Sequence, residues 1–215
     1  MVLPLDAMAS KRPIAARRVQ VRLQPEARRR QILDTAARVL TEQGAARVEI
    51  VEVARLAGVS RPVVYRFFPS RLDLIEGVLA DFEAELSARF QRALLGSMGA
   101  PPADIIRAFI DACADAIEAR GKGAWQLMYA KSSDLEAADL GRAALGALLA
   151  PWMPRVAVLT RLPPARTRLL IDIIVAAGGA ALDGWLDGGM PRRAAVKVAT
   201  QAVGALLREL AAARA

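Results

Sequence analysis

Residues 51–79 read VEVARLAGVSRPVVYRFFPSRLDLIEGVL, and this stretch decides the fold. From residue 50 onward, small and apolar residues recur at the helical spacing i, i+3, i+4, i+7: Ile50, Val53, Ala54 and Ala57. The pattern stops at Gly58, which can adopt the left-handed backbone of a tight turn. Ser60 then stands at an N-cap position, and Pro62 lies in the first turn of a new helix, where a backbone N–H is unpaired anyway. Two short helices joined by a glycine turn are typical of a helix-turn-helix.

The flanking sequence adds one helix before this pair and one after it. Upstream, apolar residues form a helical stripe that Gly44 is placed to end: Ile32, Leu33, Ala36, Ala37 and Leu40. Downstream, Pro69 breaks the third helix, and Ser70 with Asp73 three residues later matches a capping box. The sequence therefore predicts three helices followed by a long fourth one.

Beyond Arg71 the chain shows only helical periods, interrupted at glycine and proline signals. The predicted helices span residues 71–96, 103–120, 124–131, 134–150, 154–161, 166–187 and 191–213. No alternating strand pattern and no tandem repeat is evident, so the predicted fold class is all-α. We divide the chain into an arm (1–24), a helix-turn-helix domain (25–71) and a larger helical domain (72–215).

The positive charge is concentrated in the first third of the chain. The net charge is +8; Met1–Arg71 holds 14 lysines and arginines against 6 acids, and the remainder holds 16 of each. A basic module on a neutral body indicates a polyanionic partner for that module alone. The arm is expected to be flexible, with its cations following phosphates or entering a minor groove: Lys11, Arg12, Arg17, Arg18 and Arg22.

The composition excludes several classes of site. The chain has no histidine and one cysteine, Cys113, which rules out a Cys/His zinc site, a Ser-His-Asp triad and an intramolecular disulfide. No metal-ligand cluster and no phosphate-binding glycine loop is present, so we expect neither an enzyme nor a bound cofactor. The longest uncharged stretch of the apolar body, Ala143–Pro154, is shorter than the roughly 20 residues of a membrane span. We therefore expect a soluble protein that does not bind membranes.

At residues 26–79 the sequence resembles the TetR family of transcriptional regulators. The segments that carry the resemblance are RRRQILDTAARVLTEQG (28–44) and the stretch quoted above, above all Gly58–Phe68 and the following Pro69-Ser70-Arg71. The resemblance implies a cytoplasmic, nucleoid-associated bacterial protein. It implies a homodimer whose third helices enter the major groove of double-stranded DNA. It also implies a C-terminal domain that dimerises through its last two long helices and often encloses an effector pocket, with effector binding releasing DNA.

Candidate DNA contacts lie on and beside the third helix: Ser60, Arg61, Pro62, Val63, Tyr65, Arg66 and Arg71. Arg61 stands at the helix N-terminus, where a guanidinium could bind guanine O6 and N7. Tyr65 matches the family's tyrosine, and Arg71 opens the fourth helix, where a phosphate is favoured. Arg28–Arg30 could neutralise further phosphates or remain solvated. The sequence departs from the family pattern at four positions: Val48, Val51, Val63 and Phe67.

The last two helices are the predicted dimer interface. The small-residue stretch Ala176–Ala181 permits close helix approach, and larger residues could complete the interface: Ile171, Ile174, Val175, Leu182 and Trp185. Packing within one chain would account for the same residues. Residues of this kind at helical spacing are more often ordinary core, but a pocket for a small apolar or aromatic effector would be lined by seven of them: Phe109, Cys113, Trp125, Met128, Tyr129, Trp152 and Met153.

The sequence thus predicts a DNA-binding regulator, in the first instance a ligand-responsive repressor that binds an inverted repeat as a dimer. Control by a protein partner, or no effector at all, is the alternative on the same fold. An all-α enzyme is disfavoured, since Asp111 and Asp115 are better explained as a solvated helix face. Nonspecific packaging of nucleic acid would show steep salt dependence with little sequence preference.

Overall fold

The computed structural model describes residues 24–96, 100–129 and 131–212. Within these ranges all regular structure is helical, which confirms the all-α fold class. The α-helices are α1 (Pro25–Gln43), α2 (Ile50–Leu56), α3 (Arg61–Phe67), α4 (Arg71–Gly96), α5 (Pro102–Arg120), α6 (Lys122–Met128), α7 (Leu135–Leu149), α8 (Met153–Thr160), α9 (Pro164–Leu186) and α10 (Arg192–Ala212). Short 3₁₀ turns precede α2 and α8. We refer to α1–α3 as the head and to α5–α10 as the body.

The head forms as the glycines and caps predict. Gly44 ends α1 with a φ of 84°, and Gly58 makes the α2–α3 turn with a φ of 64°. Gln31 of α1 donates a hydrogen bond of 2.8 Å to the Ala57 carbonyl, which holds that turn against the first helix. Ser60 is the N-cap residue of α3, but its side chain makes no capping bond. The head is therefore held by its buried apolar residues and by the turn geometry.

Helix α4 runs through both parts of the molecule. Its N-terminus is capped by Ser70, whose hydroxyl accepts a hydrogen bond of 3.1 Å from the Asp73 N–H, as predicted. Its buried residues form one continuous stripe: Leu74, Ile75, Val78, Leu79, Phe82, Leu86 and Phe90. The helix packs on α1 of the head and on α5 and α7 of the body, so head and body share one hydrophobic core.

Arg71 forms a polar joint between head and body. Its guanidinium is paired with Asp134 and donates a hydrogen bond of 2.9 Å to the Ala45 carbonyl. Asp134 is also the N-cap of α7, where it accepts a bond of 3.1 Å from the Ala137 N–H. Burial by itself would raise the pKa of Asp134. The bonds from Ala137 and Arg71, together with the Arg71 charge, nevertheless lower it below its ordinary value.

Helix α9 buries only part of the predicted dimer interface inside its own chain. Gly178 and Gly179 are buried within their own chain, and a side-chain carbon at Gly179 would lie 2.4 Å from the Tyr129 ring. Ile171 and Leu182 are buried as well. Packing inside one chain therefore accounts for Ile171, Gly178, Gly179 and Leu182, because α9 approaches the aromatic side chain of Tyr129. The other side of α9 exposes Leu169 and Ile173 together with Ala176 and Ala180, so for these residues the dimer interface stays a prediction.

The Arg71–Asp134 joint should make stability depend on pH. Because the folded-state pKa of Asp134 is lowered, its stabilisation is fully present above the ordinary pKa of 3.8 and is lost as the pH falls through the lowered value. Asp134→Asn keeps a capping oxygen but removes the charge, so it should lose about 1 kcal/mol at neutral pH. Urea unfolding measures the difference between variant and wild type, which should shrink toward zero in acid.

Asp139→Asn is the matched control, since it removes an exposed carboxylate of the same helix that pairs only with Arg142. It should change stability little at any pH. A loss for Asp134→Asn that stays constant from neutral pH into acid would show that the ion pair contributes nothing.

Candidate nucleic-acid interface

Helix α3 presents one buried and one exposed side. Val64 is fully buried, and Phe68, just after the helix, is 3% exposed. These two residues fix the helix against the head. The opposite side is open, with Val63 half-buried and the other predicted contacts exposed: Ser60, Arg61, Pro62, Tyr65 and Arg66. The structure thus brings six of the seven predicted contact residues together on one surface.

The polar groups on this surface are available to a ligand. Within the described part of the chain, Arg61 and Tyr65 make no hydrogen bond or ion pair, and the Tyr65 side chain is half exposed. The Arg66 guanidinium lies 4.9 Å from the centre of the Phe67 ring, which restrains it beside the helix. Two arginines and a phenol on one face of an α-helix can donate hydrogen bonds to base edges and phosphates in a major groove.

Arg71 does not join this group. Its guanidinium is held by Asp134 and Ala45 in the joint described above. A phosphate contact from Arg71 would require that ion pair to open, so the contact stays a prediction. Asp134, the partner of Arg71, is not among the residues predicted from the sequence. The signal that could have identified it is an aspartate directly before a helical run, at the N-cap position.

The arginines at the start of α1 are also engaged within the protein. Arg28 donates a hydrogen bond of 2.7 Å to Gln31, and the Arg29 guanidinium lies 5.3 Å from the centre of the Phe68 ring. Arg30 pairs with Asp34 at 3.1 Å and with Asp81 of α4. These contacts stabilise the head and join it to α4. The basic arm falls outside the described residues.

The departures from the family pattern differ in consequence. Val48 is fully buried and belongs to the core. Val51 is 42% exposed on α2, and Val63 is half-buried on the contact surface. Phe67 lies under Arg66. Val63 and Val51 are therefore placed where an apolar contact could replace a polar one.

The predicted pocket residues fall into two aromatic clusters in the body. Phe109 and Trp152 lie 5.1 Å apart between ring centres, with Phe90 against both. Trp125 and Tyr129 form the second cluster, 4.6 Å apart. The remaining members are the buried Met128 and the half-buried Cys113 and Met153.

Of two polar groups in the second cluster, one has a hydrogen-bond partner and the other has none in the described structure. The Tyr129 hydroxyl donates a hydrogen bond of 3.2 Å to the Val175 carbonyl, and burial raises its pKa. The Trp125 indole N–H is buried and has no hydrogen-bond partner in the described structure. Burial also raises the pKa of Cys113 to about 12, so its thiol stays protonated at neutral pH. The unpaired indole N–H is the one donor of this cluster left for a ligand.

Comparison with known proteins gives this arrangement a family. Residues 32–78 match the model of the bacterial regulatory proteins of the tetR family. The chain is 38% identical over 68 residues to the nucleoid occlusion factor SlmA of Vibrio atlanticus, covering 31% of this chain and 35% of that protein. It is 35% identical over 89 residues to the transcriptional activator FasR of Mycolicibacterium smegmatis, covering 41% of each. It thus spans between a third and two fifths of these curated relatives.

The likeness of fold extends over the whole described chain. A TetR-like transcriptional regulator from Rhodococcus sp. RHA1 superposes with a TM-score of 0.65 at 19% identity, covering 88% of this chain and 99% of that one. At such identity the agreement concerns the fold alone, whereas the family model covers the helix-turn-helix itself. A regulatory family also agrees with the expectation that the chain is not an enzyme. Residues 32–78 therefore form a DNA-binding domain of the TetR-family type, and the chain shares the fold of TetR-like regulators.

Proposed function

We propose that this TetR-family protein is a transcriptional repressor that binds an inverted-repeat DNA operator as a homodimer and releases it when a small apolar or aromatic effector enters the body. The observation that carries the proposal is the open face of α3, where Arg61, Tyr65 and Arg66 are exposed. The concentration of the positive charge in the first 71 residues supports DNA as the polyanion. We propose repression rather than activation, although one of the relatives, FasR, is named a transcriptional activator.

The exposed apolar surface of α9 supports the dimer. Helix α9 is long and apolar enough, by length and composition alone, to cross a membrane, yet only 28% of that window is buried in the single chain. Leu169 is 60% exposed, Ile173 is 43% exposed, and Val198 of the neighbouring α10 is 46% exposed. Such a surface requires cover.

A second copy of the chain fits this surface better than a membrane does. The outer side of α9 carries an exposed ion pair between Arg168 and Asp172, 3.0 Å apart. Bilayer insertion would bury both charges, whereas a dimer can leave them at its rim. Helix α10 already packs along one side of α9, so two copies would complete a four-helix bundle.

The effector part of the proposal rests on the Trp125–Tyr129 cluster. A buried donor without a partner costs free energy, which a ligand with an acceptor atom would recover. The surrounding aromatic rings favour an apolar or aromatic molecule. Met128 and the neutral Cys113 thiol are polarisable and uncharged, which suits packing against such a molecule.

Selection of bound duplexes from a random library should enrich an inverted repeat with half-sites about one helical turn apart. Arg61→Ala should bind the selected operator about 1–3 kcal/mol more weakly and lose preference at one base position in each half-site, because a bidentate guanine contact is removed. Arg142→Ala removes the same charge from the body and should leave operator preference unchanged. Absence of any enriched sequence for the folded protein would contradict the proposed function.

Ile173→Asp should convert the dimer into a monomer, because a carboxylate would be buried without a partner at the centre of the proposed interface. Sedimentation equilibrium measures the mass, and circular dichroism checks that the variant remains helical. Leu135→Asp is the control: Leu135 is 77% exposed at the start of α7, where an acid is tolerated, and this variant should stay dimeric. A dimeric Ile173→Asp would place the interface elsewhere.

The effector pocket is tested with Nile red, a neutral apolar aromatic dye. We expect saturable binding of one dye per protomer, quenching of tryptophan emission, and weaker binding of the selected operator. Trp125→Phe, which keeps an aromatic ring but removes the N–H donor, should bind the dye at least tenfold more weakly. Dye binding that leaves operator affinity unchanged would contradict the regulatory role of the pocket.

A further inference from the structure

A concave surface lies between α5 and α10, apart from the aromatic clusters. It is an open groove of about 830 Å³ whose charged lining comes from both helices: Arg107, Asp111, Arg192, Arg193, Lys197 and Arg208. We call it the basic groove. It contains five cations and a single carboxylate, although the chain beyond Arg71 holds equal numbers of acids and bases.

The one carboxylate in the groove, Asp111, lies close to a single cation, Arg192. Arg192 lies 3.7 Å from Asp111 and 3.6 Å from Glu118, and it is paired with Asp115. The other four cations have no ion pair in the described ranges of the chain: Arg107, Arg193, Lys197 and Arg208. Their mutual repulsion is therefore relieved only by solvent and counterions, or by an anionic ligand.

The geometry of α10 gathers these charges on one side. Arg193, Lys197 and Arg208 recur at i, i+4 and i+15 on a single helix face, over a length of about 22 Å. Gly204 lies on the same face, and the Arg208 guanidinium passes 3.4 Å from the position of a side-chain carbon there. Val198, on the proposed dimer surface, is rotated by about 100° from Lys197. The groove and the dimer surface therefore use different faces of the helix.

Arg192 also begins a continuous chain of ion pairs that reaches the head. Arg192 pairs with Asp115, and Asp115 lies 3.6 Å from Arg89. The chain continues through α4 and α5 to α1: Arg89–Glu85 (2.8 Å), Glu85–Arg120 (3.1 Å), Arg120–Asp81 (3.5 Å) and Asp81–Arg30. Each step joins neighbouring helices or neighbouring turns, so the groove is linked to the first helix of the head by charged contacts throughout.

The ion-pair chain is incompletely satisfied. The Nε–H group of Arg120 is buried and has no hydrogen-bond partner in the described structure, and that of Arg192 lies 3.6 Å from Glu118, beyond hydrogen-bond distance. A partly satisfied polar network gains free energy from any rearrangement that completes its bonds. Arg120 and Arg192 therefore gain free energy from an exchange of carboxylate partners that completes these bonds.

We propose that the basic groove binds a small organic polyanion carrying two or more phosphate or carboxylate groups, and that the ion-pair chain transmits its binding to the DNA-binding head. Arginine guanidinium groups bind both kinds of oxyanion in pairs of hydrogen bonds. The volume is that of a site for a single small molecule. The bound anion competes with Asp115 for Arg192, which frees Asp115 for Arg89 and shifts the pairs that follow. Only this transmission rests on the proposed function.

Titration calorimetry at near-physiological salt tests the site with two probes, tripolyphosphate for the phosphate class and citrate for the carboxylate class. We expect saturable binding of at least one of them. The double variant K197A/R208A should weaken it at least tenfold. Arg61→Ala, in the head, and Arg142→Ala, on α7, should bind the probe as the wild type does. Equal binding by K197A/R208A, or binding of a poly-glutamate peptide but of neither probe, would overturn the site.

The transmission is tested by operator binding in the presence of the probe that binds. The probe should change operator affinity at least threefold in the wild type and leave it unchanged in K197A/R208A. Asp115→Asn interrupts the chain next to Arg192, so it should still bind the probe in calorimetry but lose the operator response. An Asp115→Asn variant that responds like the wild type would overturn transmission through these ion pairs. A wild type that binds no operator would instead contradict the proposed function.

Discussion

The apolar stripe of α4 is the constraint on which the rest of the structure depends. Leu74, Ile75 and Val78 lie in the part of the helix that packs beside the head, and Phe82 and Phe90 continue into the body. Because the stripe is unbroken, the orientation of α3 is tied to the helices that surround the candidate effector sites. A shift of α5 or α7 against this stripe must be accommodated by α4, and α4 contacts α1 directly. The hydrophobic core therefore already couples the head to the body, and the polar contacts add to this coupling.

Much of the fold could be predicted because its signals are local. Gly44 and Gly58 adopt the left-handed backbone expected of them, and Ser70 caps α4. The predicted helix 71–96 coincides with α4, and the later helices differ from their predictions by one or two residues at most ends. A turn or a cap depends on a few neighbouring residues, so the sequence contains the whole cause.

The contacts that were not predicted depend on residues distant in sequence. The exposed face of α3 follows from helical spacing, but the partner of Arg71 is 63 residues away and leaves no periodic signal. The small residues of α9 were expected at a dimer interface, whereas Gly179 instead makes room for Tyr129. In both cases the residue type indicated that a close contact would form. It did not indicate which residue would be the partner, because many partners satisfy the same local pattern.

The distribution of charge on the folded surface is likewise not predictable from the net charge of a segment. The sequence beyond Arg71 holds equal numbers of acids and bases, which predicts an electrostatically neutral body. Folding separates these charges: Asp81, Glu85 and Asp115 are drawn into the ion-pair chain, while Arg107, Lys197 and Arg208 of the basic groove have no ion pair within the part of the chain that the structure describes. A sum over the chain cannot detect this separation, since it depends on which faces of α5 and α10 meet. The head is therefore the strongest polyanion site that sequence can identify, and the basic groove is visible only in the fold.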